Sequence, residues 1–224
     1  MKPVASLFGV GVLIVLLCGA VRDEGRWAVL FDGKTLDGWT TLQGEPVVGG
    51  WRAEDGALHL KGKGGDIYSV REYANFILEF EFKLATNTNS GVKYRMMYYG
   101  EVKEYLGPEY QILDDQNTEE GKNNPKGTTA SIYVLFACND KKMLKPVGEW
   151  NQGRIVAKGT KIEHWLNGEK VAEADTATAE WKKAVAASKF AKYPTYGQNA
   201  SGRVMLQDHG TEVWYRNIRV QVLP

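Results

Sequence analysis

The stretch that decides the fold is Phe76–Leu84, with the sequence FILEFEFKL, in which apolar and polar residues alternate over nine positions. Side chains of a strand point alternately to its two faces, so this pattern predicts a β-strand with one buried face and one charged face. A single strand cannot bury its apolar face alone. The stretch therefore predicts a packed sheet.

Similar short runs lie on both sides of this stretch, and turn signals such as Asp-Gly and Asn-Gly separate them. Residues 51–60 predict a hairpin around Asp55-Gly56. The other predicted strands are residues 66–70, 92–96, 109–114, 129–137, 153–158, 161–166, 169–171, 202–207 and 213–220. One short helix is predicted over residues 179–190. The pattern favours an all-β fold, a two-sheet antiparallel jelly-roll sandwich whose curved sheet offers a concave ligand-binding face.

The composition is that of an ordinary globular protein, with 224 residues, 43% hydrophobic and 25% charged. A formal net charge of +1 and the absence of a basic block argue against nucleic acid as a partner. The 25 glycines suit many turns, and the 11 tyrosines and 7 tryptophans suit strands, core packing or a sugar-stacking surface. A single domain over residues 27–224 is predicted.

The first 20 residues predict a signal peptide, with a basic start and an apolar run at residues 7–17. This run is shorter than the roughly 20 residues that a membrane span needs. We expect cleavage after Ala20; the alternative is lipoprotein processing, with a lipid anchor at Cys18. Either route predicts an exported protein, in the periplasm or at the cell surface. If Cys18 is removed, Cys138 has no disulfide partner, and we expect a small buried apolar side chain there.

Polar residues that could carry chemistry lie on three of the predicted strands. Glu109 and Gln111 share one face of their strand, and Lys93 and Arg95 share one face of another. Arg203, Met205, Gln207 and His209 likewise share a face. If these faces converge, they line a ligand-binding surface; otherwise they face solvent from edge strands. The segment 208–210 could also be a turn in which the histidine caps backbone carbonyls.

Several familiar sites are absent from the sequence. There is no Gly-rich phosphate loop, no cysteine cluster, no Gly-x-Ser-x-Gly and no His-Glu-x-x-His motif. The three histidines are scattered, which disfavours a multi-histidine zinc site, and residues 115–121 predict a solvated acidic loop rather than a calcium loop. Residues 79–83 do not provide the Glu-x-Asp-x-x-Glu pattern of retaining β-glucanases.

Six motifs, in order along the chain, resemble those of the 3-keto-disaccharide hydrolase family. They are LFDGKTLDGW at 30–39, NSGVKYR at 89–95, GPEYQILD at 107–114, GEWN at 148–151, HWLNG at 164–168 and LQDHG at 206–210. The resemblance extends over about residues 27–223. It implies a concanavalin A-like sandwich and an exported bacterial hydrolase that cleaves 3-keto-glycosides.

The implied reaction begins at a ketone on C3 of the sugar, which acidifies the proton on C2. A base removes that proton, the C1 substituent is expelled, and water then adds to the double bond. His209 is the first candidate for the base, with Gln207 or Asp208 to orient it, and Glu109 is the alternative. Arg95 or Lys93 would stabilise the enolate.

Gln111 and Asp114 are the candidates for holding sugar hydroxyls, together with Lys93, Gln207 and Asp208. A divalent metal bound by Glu109, Asp114 and His209 would also polarise the ketone. The competing function is a non-catalytic, lectin-like carbohydrate-binding domain, because a sandwich of this kind does not by itself fix an activity.

Overall fold

The computed structural model describes residues 25–100 and 104–224, which form two antiparallel β-sheets. In chain order the strands are β1 (Trp27–Val29), β2 (Trp39–Thr40), β3 (Trp51–Glu54), β4 (Ala57–Leu60), β5 (Ile67–Tyr73), β6 (Phe76–Leu84), β7 (Asn89–Tyr99), β8 (Glu104–Leu106), β9 (Glu109–Leu113), β10 (Trp150–Lys158), β11 (Lys161–Leu166), β12 (Glu169–Asp175), β13 (Gly202–Leu206) and β14 (Val213–Val222). The helices are α1 (Glu119–Asn123) and α2 (Ala179–Ala186), and a 3-10 turn spans Pro125–Gly127.

The eight-stranded sheet has the order β12-β11-β10-β6-β14-β4-β3, and β1 also pairs with β14. The six-stranded sheet has the order β2-β5-β13-β7-β8, and β9 also pairs with β7. Many neighbours in space are distant in sequence, which is the arrangement of a jelly roll rather than of simple hairpins. The predicted all-β, two-sheet antiparallel sandwich is confirmed.

The core lies between the two sheets. On β6 the apolar residues of the alternating stretch are buried, and the ring of Phe80 meets Tyr110 of the opposite sheet edge-to-face at a centroid distance of 5.3 Å. Removing such an aromatic side chain would destabilise the fold by about 3–5 kcal/mol. His164 of β11 joins the sheets through a second contact, since its Nε2 lies 2.9 Å from the hydroxyl of Tyr94 in β7.

The prediction of a strand at residues 129–137 is wrong. Ala130 and Val134 take the left-handed backbone conformation, with φ of 69° and 58°, which interrupts any extended run. The segment is instead a loop that covers the edge of β9, where the Tyr133 N–H donates to the carbonyl of Glu109. The apolar residues of this loop, such as Ile132, point into the core and are buried. The apolar run in the sequence therefore indicates burial and not a strand.

The helix predicted near the C-terminus is present but ends at Ala186, four residues before the predicted end at 190. Thr178 caps its N-terminus, where its hydroxyl accepts a hydrogen bond from the backbone N–H of Trp181. The Trp181 ring stacks between Phe136 and Tyr196. This stack fixes the irregular segment after α2 against the helix and against the loop that contains Phe136.

The predicted signal peptide, including Cys18, lies outside the described residues. Within the ranges 25–100 and 104–224, no helix combines the length and the apolar character that crossing a bilayer requires. Cys138 is half-buried, and its thiol donates weakly to the carbonyl of Thr129 at 3.4 Å. Burial raises the pKa of this thiol to about 11, so it is an inert thiol rather than a nucleophile.

Candidate functional site

Three neighbouring segments of the six-stranded sheet bring four predicted site residues together. Lys93 of β7 pairs directly with Glu109 of β9. Gln207 follows β13, and its backbone N–H donates to the carbonyl of Gly91 in β7 at 2.9 Å. His209 stands two residues further on, at the exposed rim. We call Lys93, Glu109, Gln207 and His209 the polar cluster.

The amide of Gln207 connects the members of the polar cluster. In the orientation that satisfies every neighbour, its NH₂ group donates to Glu109 Oε1 at 3.2 Å. Its carbonyl oxygen then accepts from Lys93 Nζ at 3.0 Å and from His209 Nε2 at 3.2 Å. Lys93 Nζ also lies 3.7 Å from Glu109 Oε2. The cluster is therefore one continuous hydrogen-bonded unit.

Gly91 makes this arrangement sterically feasible. A Cβ atom at this position would collide with Glu109 Oε1 and would approach the side-chain amide of Gln207 to 3.2 Å. The missing side chain thus leaves the space in which the Glu109 carboxyl lies across β7. A glycine within a strand often marks such a close approach.

Glu109 is almost fully buried, with 3% of its side chain exposed. This burial raises the pKa of its carboxyl above the usual value, and the positive charges of Lys93 and Lys189 offset the shift only in part. A carboxyl whose pKa is raised in this way can exchange protons closer to neutral pH. Perturbed groups of this kind concentrate at functional sites.

A pocket of about 300 Å³ opens beside Glu109 and Lys93. Its other walls come from β8 and from the segment after α2, and they include Tyr105, Lys189, Phe190 and Tyr196. Ligand pockets of proteins measure roughly 300–1,000 Å³, so this one is at the small end of that range.

The wall formed by the segment after α2 is held by aromatic packing. The rings of Phe190 and Tyr196 stack at a centroid distance of 3.9 Å, and the Tyr196 hydroxyl donates to the carbonyl of Gly107 at 2.7 Å. Lys189 Nζ lies 4.3 Å from the ring centre of Tyr133, and partial burial lowers the pKa of this lysine. Lys189 was not predicted as a site residue, because only tertiary packing brings it to the pocket.

Asp66 is a second residue that the sequence did not reveal. It precedes β5, and its Oδ1 accepts the backbone N–H of Asp208 at 2.9 Å. Burial raises the pKa of its carboxyl, while the nearby charges of Lys93 and His209 act in the opposite direction. The sequence gives no signal for this role, because Asp66 stands at the end of a glycine-rich loop and no repeating pattern connects it with Lys93 or His209.

Arg95 does not join the polar cluster, and the prediction that it shares a face with Lys93 is wrong. The backbone at Arg95 is left-handed, with φ of 48°, and the pairing of β7 with β13 shifts register nearby. Its guanidinium is buried elsewhere, donating to the carbonyls of Ala74 at 2.8 Å and Gly159 at 2.7 Å. Arg95 therefore connects two turns of the sandwich.

The two predicted aspartates also make structural contacts. Asp208 does not orient His209, because its Oδ2 accepts the backbone N–H groups of Gly64 and Gly65, both at 2.7 Å. Asp114 accepts from the backbone N–H of Asn87 at 2.9 Å and from the side chain of Asn117 at 2.8 Å. Both carboxylates close turns, and neither is part of the polar cluster.

Gln111 lies in β9 next to Gly91 and is buried. Within the described part of the chain, its Oε1 is the buried side-chain oxygen that has no hydrogen-bond donor. The candidate metal ligands Glu109, Asp114 and His209 are not assembled, because residues 25–100 and 104–224 contain no metal-binding group of three such side chains. A role for Gln111 towards a sugar hydroxyl stays a prediction.

Comparisons with known proteins agree with the sequence resemblance. Residues 26–221 match the family model described as a 3-keto-alpha-glucoside-1,2-lyase-like domain. A Bacteroides thetaiotaomicron protein named 3-keto-disaccharide hydrolase is 35% identical over an alignment that covers 90% of this chain and 80% of that protein.

Solved structures give the same answer for the fold. A Parabacteroides distasonis crystal structure, named as a glycosyl hydrolase, has a TM-score of 0.79 at 33% identity, covering 88% of this chain and 94% of that one. A second one from the same organism, also named as a glycosyl hydrolase, has a TM-score of 0.67 at 30% identity, covering 88% and 100%.

Proposed function

Since the chain belongs to the 3-keto-alpha-glucoside-1,2-lyase-like family and is a glycosidase-type enzyme, we propose that it cleaves 3-keto-glycosides by elimination and hydration. The observation that carries this proposal is Glu109, a buried carboxyl with a raised pKa that lines a pocket beside an ammonium group. Elimination next to a ketone needs a proton acceptor, a proton donor and a cation near the enolate oxygen. The polar cluster contains one group suited to each role.

In the proposed first step, His209 takes the proton from C2. Histidine is the side chain that most often serves as a general base, and the exposed position of His209 leaves it open to substrate. The electrons of the C2–H bond form the enolate, whose oxygen on C3 is stabilised by Lys93 Nζ. The C1–O bond then breaks, and Glu109 donates its proton to the departing oxygen.

In the proposed second step, water adds to C1 of the unsaturated sugar. Glu109, now ionised, accepts a proton from the water, and His209 returns its proton to C2. The products are the free 3-keto sugar and the alcohol of the leaving group. Gln207, which contacts both proton-transfer residues, holds them at a fixed separation throughout.

The relative from Bacteroides thetaiotaomicron is named for 3-keto-disaccharides, and the proposed substrate of this chain is of the same class. The pocket of about 300 Å³ supports this size, because it accommodates one ring beside Glu109.

The test uses a 3-keto-disaccharide and its analogue deuterated at C2. We expect turnover with a primary isotope effect on kcat/KM, and we expect His209→Ala to abolish that turnover. Both results together support proton abstraction by His209. Turnover in H₂O with no isotope effect and with the C2 deuterium fully retained in the product indicates direct displacement at C1. The protein is then still an enzyme, but the proposed mechanism is wrong. An isotope effect that persists in His209→Ala but is lost in Glu109→Gln assigns the base to Glu109 instead.

Export of the protein is also part of the proposal, and it rests on the apolar run at residues 7–17. Mass spectrometry of the protein made in a bacterial host tests it. A mature chain that starts at Val21 supports cleavage of the signal peptide. A lipidated Cys18 supports the lipoprotein route, and a retained Met1 in the cytoplasm overturns export.

A further inference from the structure

A second hollow, of about 530 Å³, lies on the outer face of the eight-stranded sheet. Residues of β6, β10, β11 and β14 line it, and among them are Glu79, Gly153, Arg154, Trp165 and Arg219. No member of the polar cluster lines this hollow, and it belongs to the other sheet. It is the larger of the two hollows, and the proposed reaction makes no use of it.

The hollow follows a row of residues that runs straight across the sheet. Trp165 pairs with Arg154, Arg154 with Glu79, and Glu79 with Arg219. Side chains in such a row lie on one face and touch their neighbours. The row therefore forms one continuous wall, with an indole at one end.

An irregular stretch of backbone lies beside this wall. Asn217 takes a left-handed conformation with φ of 51°, and the pairing of β14 with β6 shifts register between Arg216 and Arg219. Gly153 of β10 also lines the hollow, and it brings no side chain to it.

The charges that line the hollow balance each other. Arg154 Nη2 lies 2.6 Å from Glu79 Oε1, and Arg219 Nη2 lies 2.6 Å from Glu79 Oε2. Glu81 accepts from Arg216 at 2.7 Å and from the Asn217 side chain at 2.9 Å. Each carboxylate of the hollow is paired with at least one arginine, so the hollow offers directional hydrogen-bonding groups and no unpaired carboxylate to attract a cation.

Trp165 supplies an apolar surface in the same place. Its indole N–H donates to Glu163 at 2.9 Å, which fixes the ring, and the Arg154 guanidinium lies 5.7 Å from the ring centre. An apolar wall next to neutral, directional polar groups matches the chemistry of a sugar ring, which has an apolar C–H face and a rim of hydroxyls.

We propose that this hollow is a second carbohydrate site, which binds a neutral oligosaccharide segment with one ring against Trp165. Hydroxyl groups of the sugar donate to the carboxylates of Glu79 and Glu81 and accept from the arginines. The site does not contribute to the reaction. It holds the enzyme to a neutral glycan while the pocket of the other sheet works on its own substrate.

The test is calorimetric titration of the full protein with cellotriose, maltotriose and xylotriose, and with trigalacturonic acid as the anionic probe. We expect at least one neutral trisaccharide to bind wild type and Glu109→Gln alike. We expect Trp165→Ala to weaken that binding roughly tenfold, as loss of an aromatic contact does, with kcat/KM unchanged. Trp150→Ala is the matched control, because it lies on the same face with its ring 4.0 Å from Arg216.

A second variant guards against misfolding of the first. Gln152 is exposed and lines the hollow, so Gln152→Trp fills the site without disturbing the core and is expected to weaken binding as well. The proposal is overturned if no neutral trisaccharide binds, if only trigalacturonic acid binds, or if a folded Trp165→Ala or Gln152→Trp protein binds as tightly as wild type.

Discussion

The outer faces of the two sheets both carry charged residues in cross-strand rows. They differ in how far a glutamate is buried and in how closely a cation is paired with it. On the eight-stranded sheet, Glu79 lies between two arginines at 2.6 Å, and both guanidiniums reach solvent. On the six-stranded sheet, Glu109 is 3% exposed, and its cation Lys93 lies 3.7 Å away. One carboxylate is closely paired and partly hydrated, and the other is buried beside a looser partner.

This difference separates a binding surface from a reaction centre. Exposed ion pairs contribute little to stability and keep both groups charged. A buried carboxyl with a distant partner is costly to keep ionised, so it gains a proton more readily, and the structure tolerates it where chemistry needs that proton. The comparison therefore supports both proposals, acid–base work by Glu109 and ligand contacts by the row around Glu79.

The largest expected effect is on Glu109→Gln, which removes the proton-transfer group but keeps the shape. We expect kcat to fall by about 10²–10⁴-fold, as for loss of a general acid or base. Glu79→Gln is the matched control, and it should leave kcat/KM within about twofold because Glu79 lies on the other sheet. Equal losses in the two variants would remove the distinction between the sheets.

The same prediction has a pH signature. Burial raises the pKa of Glu109, and the proposed acid must be protonated, so activity should decline as pH rises through that raised value. Glu109→Gln should lack this alkaline limb. A limb that instead appears as pH falls would mean that Glu109 acts in its ionised form, as the base.

The next effect concerns His164, which joins the two sheets. It is fully buried, its Nδ1–H donates to the carbonyl of Ala130 at 3.0 Å, and burial lowers its pKa to about 4. Between pH 6.5 and 4 the histidine is protonated in the unfolded chain but not in the folded one. Its contribution to the free energy of unfolding is therefore fully present above pH 6.5 and is lost as pH falls towards 4. The loss is about 3 kcal/mol. Urea titrations at several pH values measure it, and His164→Gln should be less stable with a flatter profile.

Two glycines extend the comparison. Gly91→Ala places a Cβ against the Glu109 carboxyl, so activity should fall, and displacement of this buried side chain should also destabilise the fold by about 1–3 kcal/mol. Gly153→Ala places a Cβ against the ring of Phe80, and it should destabilise the fold by about 1–3 kcal/mol with activity retained. Kinetics and denaturant unfolding on both variants decide this. Full activity in Gly91→Ala together with loss of activity in Gly153→Ala would contradict this prediction.

The smallest effect is on Arg154→Ala. Its guanidinium is about half exposed, and an exposed pair contributes roughly 0.2–1 kcal/mol. We expect a loss within that range by denaturant unfolding, reduced further in high salt. A loss above about 2 kcal/mol would show that the row around Glu79 is structural rather than a ligand surface.

Much of the fold could be predicted from the alternation of apolar and polar residues. This alternation appears in the sequence wherever one face of a strand is buried and the opposite face is solvated. Lys93, Glu109, Gln207 and His209 were predicted for the same reason. Arg95 was misplaced because strand alternation assumes regular backbone, and its left-handed φ of 48° breaks the count.

Lys189 and Asp66 were missed because loops deliver them to the site, and no periodicity connects a loop to a strand. Asp114 was interpreted as a sugar ligand, although the polar residues that follow it are typical of an aspartate that closes a turn. At the end of a strand, the turn residues that follow an aspartate therefore predict its contacts better than the strand face on which it lies. The contacts between Gln207 and its neighbours required the tertiary structure itself.

The space at Gly91 also has a consequence for how such proteins diverge. Exchange of glycine for alanine needs one nucleotide change, and here it adds a methyl group against the Glu109 carboxyl while leaving the hollow on the opposite sheet intact. Under the two proposals made above, a duplicated gene with this single change would encode a protein that folds and binds neutral glycans but turns over substrate more slowly.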